Sequence, residues 1–546
     1  MATLRKQKVG KYTYWQIVES KRVNGKPRPV VLMHLGTAEQ LLYKLKGGPF
    51  KKKIKSYSHG AVSALWRIAE EMDLPRIFAQ VFSPQQRDGL PVGKSLLLAA
   101  VHRAVKPGSK RAFAEFAEKT TLPKIAGFVS AKLTSQHFWD QMDTVTDEQL
   151  EEAEKEITQK MLEKGLLTPR LLFYDLTNFF TYIATENKKT KLAQRGENKQ
   201  NDLRQFGLAQ VVTKEFLLPV FSQVYAGNGS EKRLFIPYLT RLREKLTELS
   251  LNVEEITVVF DKGNNSKENF GFLDFSEIPY IASLTPVYHE DLLSIPVCRY
   301  WRVKVNGKPL LCYRTKKVIW GKERTVVLYI SEKLREGQLR GLTHDLTKKN
   351  EKLGQLKRSL ESPRAKKKVL ERKLKEILKG EKADLIIDVH WEKEGLSWEI
   401  DPLAYRWVTE NLFGKRILVT CRKDWTEEEI IAAYWGQSNI ERVFRHFKNP
   451  YHHAVCPQFH WTDQKIKVHT FICVIGLLLS QLLWKKACTA GYTLSIENLL
   501  DRLMEIRETE VVTITDLKGR PQKEVQLEEV EPWLQKLYEK LMNEAL

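Results

Sequence analysis

LLFYDLTNFF, residues 171–180, is a short, apolar, β-prone run with one acid, Asp175, in its middle. A charge inside such a strand is costly unless it is paired or holds a metal. FGLAQVVT (206–213) and LPVFSQVYA (218–226) read as the next two strands, and residues 231–250 as an amphipathic helix. ITVVFDKG (256–263) is another buried strand, ending in Asp261, and YIASL (280–284) reads as a fifth. Three consecutive strands, a helix, a strand and further α/β pattern predict a mixed sheet with helices packed on it. Asp261 stands at the C-terminal end of its strand, the usual edge for ligand sites in open α/β sheets.

A third acid lies in YWGQSNIERVFRHFK, residues 434–448. At about 100° per residue, one helix over 425–448 puts Tyr434, Gln437, Glu441, Arg445 and Lys448 in a single stripe. Ile440, Phe444 and Phe447 form a neighbouring apolar stripe that anchors the helix in a core. Taken singly, each acid reads first as an N-cap, a turn or a structural salt bridge. Taken together, carboxylates from two strands and a helix can converge on one point. Three hard oxygen donors with no His or Cys beside them suit Mg²⁺ or Mn²⁺ rather than zinc. Two such ions about 3.5–4 Å apart can activate a nucleophile and stabilise the leaving oxygen of an in-line phosphoryl displacement.

Working outward, residues 12–35 alternate and turn at Asn24-Gly25, which predicts a β-hairpin. The basic stretch 44–55 follows, and either tracks DNA phosphates or serves as a solvated tether. Residues 58–165 carry helical periodicity broken by prolines, an all-helical module whose turn VKPGSKR (105–111) offers Lys106, Lys110 and Arg111 to phosphate. Residues 285–415 interrupt the α/β plan. They are strand-like and rich in Trp and Tyr at first, then highly charged and helical over about 332–380. There Leu339, Leu346, Leu353 and Leu360 recur every seven residues, with Leu342 and Leu356 between them, and Ser362-Pro363 breaks the run. This predicts a helical hairpin that serves dimerisation, DNA contact or structure alone. The expected division is therefore 1–57 hairpin and basic linker, 58–165 helical DNA-binding domain, 166–284 and 416–490 the two parts of a catalytic domain, 285–415 insertion, and 491–546 a C-terminal helical region.

The chain carries 89 basic against 67 acidic residues, a formal net charge of +22, which favours a polyanionic partner, most simply nucleic acid. Six scattered cysteines form no CxxC pair, so a disulfide framework is not expected and the reading is cytoplasmic. FICVIGLLLSQLLW (471–484) is too short to span a bilayer and contains Ser480 and Gln481, so it reads as a buried helix. His446, His452, His453, His460 and His469 crowd one region with Cys456, but without a recognised zinc spacing. His460 and His469 read as hydrogen-bonding ties between the motif helices.

The order of these pieces resembles the DDE transposases with a ribonuclease-H-like catalytic domain. More narrowly, it resembles the bacterial insertion-sequence transposases that carry a Tyr-x2-Arg-x3-Glu-x6-Lys motif. Tyr434, Glu441 and Lys448 stand at those spacings, with Gln437 where the family usually has Arg. Further matching pieces are YDLTNFF around Asp175, RGENKQNDLRQFGLAQVV with Asp202, Gly227-Asn228, FDKGNNSKEN around Asp261, and HWTDQKIKVHTFICVIGLLL from 460. The resemblance implies that Asp175, Asp261 and Glu441 hold two Mg²⁺ ions, with Mn²⁺ able to substitute. It implies hydrolysis at the transposon ends to free 3′-OH groups, which then join target DNA by transesterification. Tyr434, Lys448 and Arg445 would contact phosphates near the cut, with Arg442 or Arg445 compensating for Gln437, and Lys262 neutralising charge beside the second Asp. The partners implied are terminal inverted repeats, target DNA and a second copy of the chain, with no membrane. A related nuclease, or a domesticated DNA-binding relative without strand transfer, is the alternative.

Overall fold

The computed structural model describes residues 2–23, 26–46, 51–82, 90–184, 186–196, 203–360, 367–379, 382–392, 395–456, 458, 460–514 and 522–546. The Asn24-Gly25 tip, Asp202 and the Ser362-Pro363 break lie outside them. The chain divides into two compact units, one of residues 1–67, 111–133 and 487–545, the other of 68–110, 134–486 and 546. Helices of the 58–165 stretch fall partly in each.

The larger unit is built on one nine-stranded sheet. Its strands are β1 (Leu171–Thr181), β2 (Arg204–Thr213), β3 (Pro219–Ala226), β4 (Thr257–Phe260), β5 (Tyr280–Ser283), β6 (Trp301–Val305), β7 (Lys308–Ile319), β8 (Lys322–Ile330) and β9 (Lys415–Thr420). Their spatial order is β6-β7-β8-β9-β5-β4-β1-β2-β3. The five strands expected from the sequence are present, and the helix Glu231–Glu248 (α1) links β3 to β4. β1 pairs antiparallel with β2 and parallel with β4, and β4 pairs parallel with β5. The central strands are buried on both faces, so they read as near-continuous apolar runs rather than alternating ones.

The insertion does not leave this sheet. β6, β7 and β8 extend it, and β9 returns antiparallel between β8 and β5. The helices α2 (Glu332–Leu360) and α3 (Lys367–Leu378) follow β8, then a two-stranded hairpin, Ile387–Glu392 with Gly395–Ile400. Leu342, Leu346, Leu353 and Leu356 are buried, and Leu356 shares a small core with Leu374, Ile377, Val389, Leu396 and Trp398. The leucine seam is therefore largely spent inside the insertion. Lys349 is buried in the same seam and pairs with Asp345 one turn before it.

Two helices follow β9: α4 (Glu427–Gln437) and α5 (Ile440–Lys448). Thr426 caps the first through a reciprocal pair of bonds with Glu429, at 3.3 and 2.8 Å. The long helix α6 (Asp463–Thr489) is apolar and long enough to cross a membrane, yet 89% of its apolar window is buried within the protein. Asp463 at its start accepts from the Thr190 hydroxyl at 2.6 Å and the Lys191 and Leu192 amides at 2.9 and 3.0 Å, pinning the segment before β2.

The smaller unit holds two three-stranded antiparallel sheets. Ala2–Val9, Tyr12–Val23 and Lys26–Thr37 form the first, followed by the helix Ala38–Leu45. The basic stretch is not wholly a tether, because Lys51–Ser58 is a strand paired with Arg507–Ile514, which also pairs with Gln522–Leu527. The C-terminal region is accordingly mixed rather than helical.

Candidate active site

Register brings the first two acids together. In the parallel pair β1–β4, Leu171 faces Thr257, Leu172 faces Val258 and Phe173 faces Val259. The matched pairs end there: Asp175 lies two positions beyond Phe173 within β1, and Asp261 two positions beyond Val259, in extended backbone just past the end of β4. At neighbouring strands about 4.8 Å apart, equal steps from a matched pair bring the two acids to the same edge of the sheet.

Glu441 arrives from the helices packed on β1. The expected single helix over 425–448 is two, joined by Ser438 and Asn439 in right-handed backbone, with tightened bonds from Asn439 N to Gly436 O and Arg442 N to Asn439 O, both 2.9 Å. The tighter turn advances about 120° per residue instead of 100°, so it rotates Glu441 away from the line of Tyr434 and Gln437. The expected stripe is thereby split. Ile440, Val443, Phe444 and Phe447 are buried in the core that contains Phe173 and Phe179, while Glu441, Arg442, Arg445 and Lys448 are exposed. Gly436 permits the close seating. A Cβ there would fall inside 3.0 Å of Phe173 Cζ and stand 3.1 Å from Cε1.

The acids act on one another electrostatically. Asp175 is pushed up to about 7, first by burial and then by the carboxylates of Glu231, Asp261 and Glu441; its bond from the Leu176 amide, 2.8 Å, opposes this. Glu231 is raised too, by burial and by Asp261. This fourth carboxylate was not anticipated from the sequence. β3 runs parallel to β1 and β4, so the helix after β3 begins at the edge where Asp261 stands, and Glu231 is its first residue. A Cβ on Gly263 would collide with Glu231 Oε2.

The other candidates separate by burial. Tyr434 is 8% exposed, and its hydroxyl lies 3.4 Å from Asp261 Oδ1. Burial and Asp261 together push it up to about 12. It therefore orients a carboxylate rather than offering itself to solvent. Gln437 is also buried, at 9%. Arg442, Arg445 and Lys448 make no ion pair among the described residues, and Lys448 lies 5.9 Å from the Phe179 ring centre. Lys262, Lys106 and Arg111 are exposed. Lys110 departs from its expected surface role. It is 7% exposed, with Nζ 3.1 Å from His469 Nδ1, and burial followed by the Arg103 charge lowers it to about 7. His469 also meets Arg103 and the Val455 carbonyl, each at 3.0 Å, which makes it a tie between segments.

Four carboxylates that act on one another form a hard-oxygen donor set of a kind that fits a divalent metal. Their donor atoms are not gathered as tightly as those of Asp388, His390 and Glu399, an exposed trio on the insertion hairpin whose ligand atoms lie within 4.8 Å of one another.

Residues 2–61 match the family model described as IS1634 family transposase, N-terminal domain. That segment is thus similar to the N-terminal domain of an insertion-sequence transposase. No curated protein matches the chain. Among solved structures, the cryo-EM structure of a piggyBac transposase synaptic complex with hairpin DNA is similar at 8% identity and a TM-score of 0.37, over 81% of this chain and 79% of that one. A likeness at that score carries no weight for this chain.

Proposed function

We propose that this protein is a DNA transposase whose larger unit is a ribonuclease-H-like catalytic domain. It binds the terminal inverted repeats of an insertion sequence, cleaves at their ends to free 3′-OH groups, and joins these to target DNA. The observation that supports the reading is the electrostatic effect of both Asp261 and Glu441 on the buried Asp175, with Asp175 and Asp261 each two positions beyond a matched pair of neighbouring parallel strands. The strand order β3-β2-β1-β4-β5 within the sheet and the N-terminal match support it.

In this reading Asp175, Asp261 and Glu441, with Glu231 beside them, would hold two Mg²⁺ ions, which when bound would supply Lewis-acid activation for in-line phosphoryl displacement. The chain's own residues do the rest. Tyr434 orients Asp261, and the exposed Arg442, Arg445 and Lys448 beyond Glu441 hold the phosphates of the cleaved strand. Lys262 adds positive charge at the Asp261 side. Two ends are paired in a dimer on DNA.

The test is incubation of purified protein with supercoiled plasmid carrying matched inverted repeats and Mg²⁺. Strand-transfer products support the proposal. Cleavage alone indicates a nuclease, and binding alone a non-catalytic relative. Asp175→Ala, Asp261→Ala and Glu441→Ala are each expected to abolish cleavage while leaving end-binding largely intact. Full cleavage by any of the three would falsify the site.

A further inference from the structure

The first sheet of the smaller unit carries a strongly cationic two-stranded ribbon. Residues 2–37 hold eight Lys or Arg (5, 6, 8, 11, 21, 22, 26 and 28) against one acid, Glu19. Among the described residues, the first strand pairs with the second as far as Ala2–Glu19. Beyond it the second and third strands continue alone, with Ser20 facing Pro29, Lys21 facing Arg28, Arg22 facing Pro27 and Val23 facing Lys26. Four pairs at about 3.4 Å per residue project roughly 14 Å past the three-stranded part.

Cross-strand partners share a face and neighbours alternate, so Lys21, Lys26 and Arg28 stand on one face and Arg22 on the other. All four are exposed. Arg22, Lys26 and Arg28 make no ion pair among the described residues, and the Lys21–Glu19 pair at 3.5 Å is an exposed one of little energetic weight. The three-cation face continues into Val30, Met33 and Leu4, which are 37%, 57% and 54% exposed, while Gln16 and Val18 on the opposite face are buried. Pro27 and Pro29 remove two amide donors from the outer strand, making it a poor template for strand addition by a second copy.

We propose that this ribbon enters the major groove of duplex DNA with the Lys21, Lys26 and Arg28 face inward. A two-stranded ribbon fits the groove of B-form DNA, about 12 Å wide and about 8.5 Å deep, whereas the narrow major groove of A-form RNA excludes it. The inference rests on the reading of this chain as a DNA-acting enzyme, and it assigns groove recognition to the N-terminal sheet rather than to the helices of 58–165.

The experiment uses the full chain and a fluorescent duplex bearing the inverted repeat, with anisotropy measured across salt concentrations. The triple variant Lys21→Ala, Lys26→Ala, Arg28→Ala is expected to flatten the slope of log affinity against log salt by about 2.7, or about 0.9 per lost phosphate contact. It should also lose wild-type protection of guanine N7 from dimethyl sulfate. Arg22→Ala should retain that protection. Unchanged melting of the triple variant confirms that the fold survives these exposed changes. An unchanged slope and footprint, or equal competition by an RNA duplex of the same sequence, overturns the inference. Cleavage of the plasmid is read separately: if wild type binds in the groove but never cleaves, the ribbon stands and the catalytic proposal fails.

Discussion

Gly436→Ala isolates the packing that delivers Glu441. The added Cβ would fall inside 3.0 Å of Phe173 Cζ, 3.1 Å from Cε1 and 3.3 Å from Cε2. Carbon contacts settle at about 3.5–4.0 Å, so α4 must retreat from β1 by on the order of 1 Å. Phe173 is fully buried in the core, where close packing resists rotation of its ring. Ser438 and Asn439 keep helical backbone, so the displacement passes on to Glu441. Overpacking costs about 1–3 kcal/mol, and removing glycine from a helix returns about 0.5–1 kcal/mol. The net expectation is a loss of roughly 1–2 kcal/mol, read as a lower denaturation midpoint. A shift of about 1 Å in a reacting group can lower rate on the order of 100-fold, read as plasmid cleavage at fixed Mg²⁺. Phe173→Leu removes the offending ring carbon, so the double variant should recover more than the sum of the single losses allows. Wild-type midpoint and wild-type cleavage in Gly436→Ala would refute this account of how the helix seats.

Three further outcomes are expected. Glu231→Gln should keep DNA affinity but shift the Mg²⁺ dependence of cleavage several-fold; an unchanged Mg²⁺ titration removes Glu231 from the site. Tyr434→Phe loses a long bond to a carboxylate, worth about 1 kcal/mol or roughly five-fold in cleavage, with end-binding unchanged; weakened end-binding instead would return Tyr434 to the phosphate-contacting role expected from its motif position. Lys110→Met should raise the melting temperature at neutral pH. The native lysine is lowered from 10.5 to about 7, so between those values the unfolded chain holds a proton that the folded one has released. Wild-type stability therefore rises with pH through this window, and the penalty, on the order of 5 kcal/mol, is complete below pH 7 and gone above about pH 10.5. The variant's advantage should shrink as pH rises, and a melting difference flat from pH 7 to 10 contradicts the buried-cation account.

Much of the candidate site was legible locally. Asp175 shows itself as an acid inside an apolar strand, Asp261 as an acid ending one, and the Ile440, Phe444 and Phe447 stripe as a helix face bound for a core. What local pattern missed is instructive. Glu231 looks like any acid in a first helical turn, and only the parallel run of β1, β3 and β4 puts that turn beside Asp261. Lys110 sits in a turn of surface-like composition, and only the packing of residues 103, 110 and 469 buries it. The Lys51–Ser58 strand reads as a basic tether because its partner, Arg507–Ile514, lies more than four hundred residues away.

Sequence by itself determined the order of the first five strands and of α1, singled out the three acids as candidates, and carries the cationic excess. These depend on periodicity and polarity within a few residues, which the chain carries in any conformation. Tertiary structure alone decided the register that brings Asp175 and Asp261 to one edge, the tightened turn that rotates Glu441 out of the Tyr434 line, and the joining of the insertion strands to the central sheet. Those outcomes depend on which distant surfaces bury one another. Close packing selects among partners that local pattern leaves equivalent, and a one-residue change of register would turn every side chain of β4 to the other face.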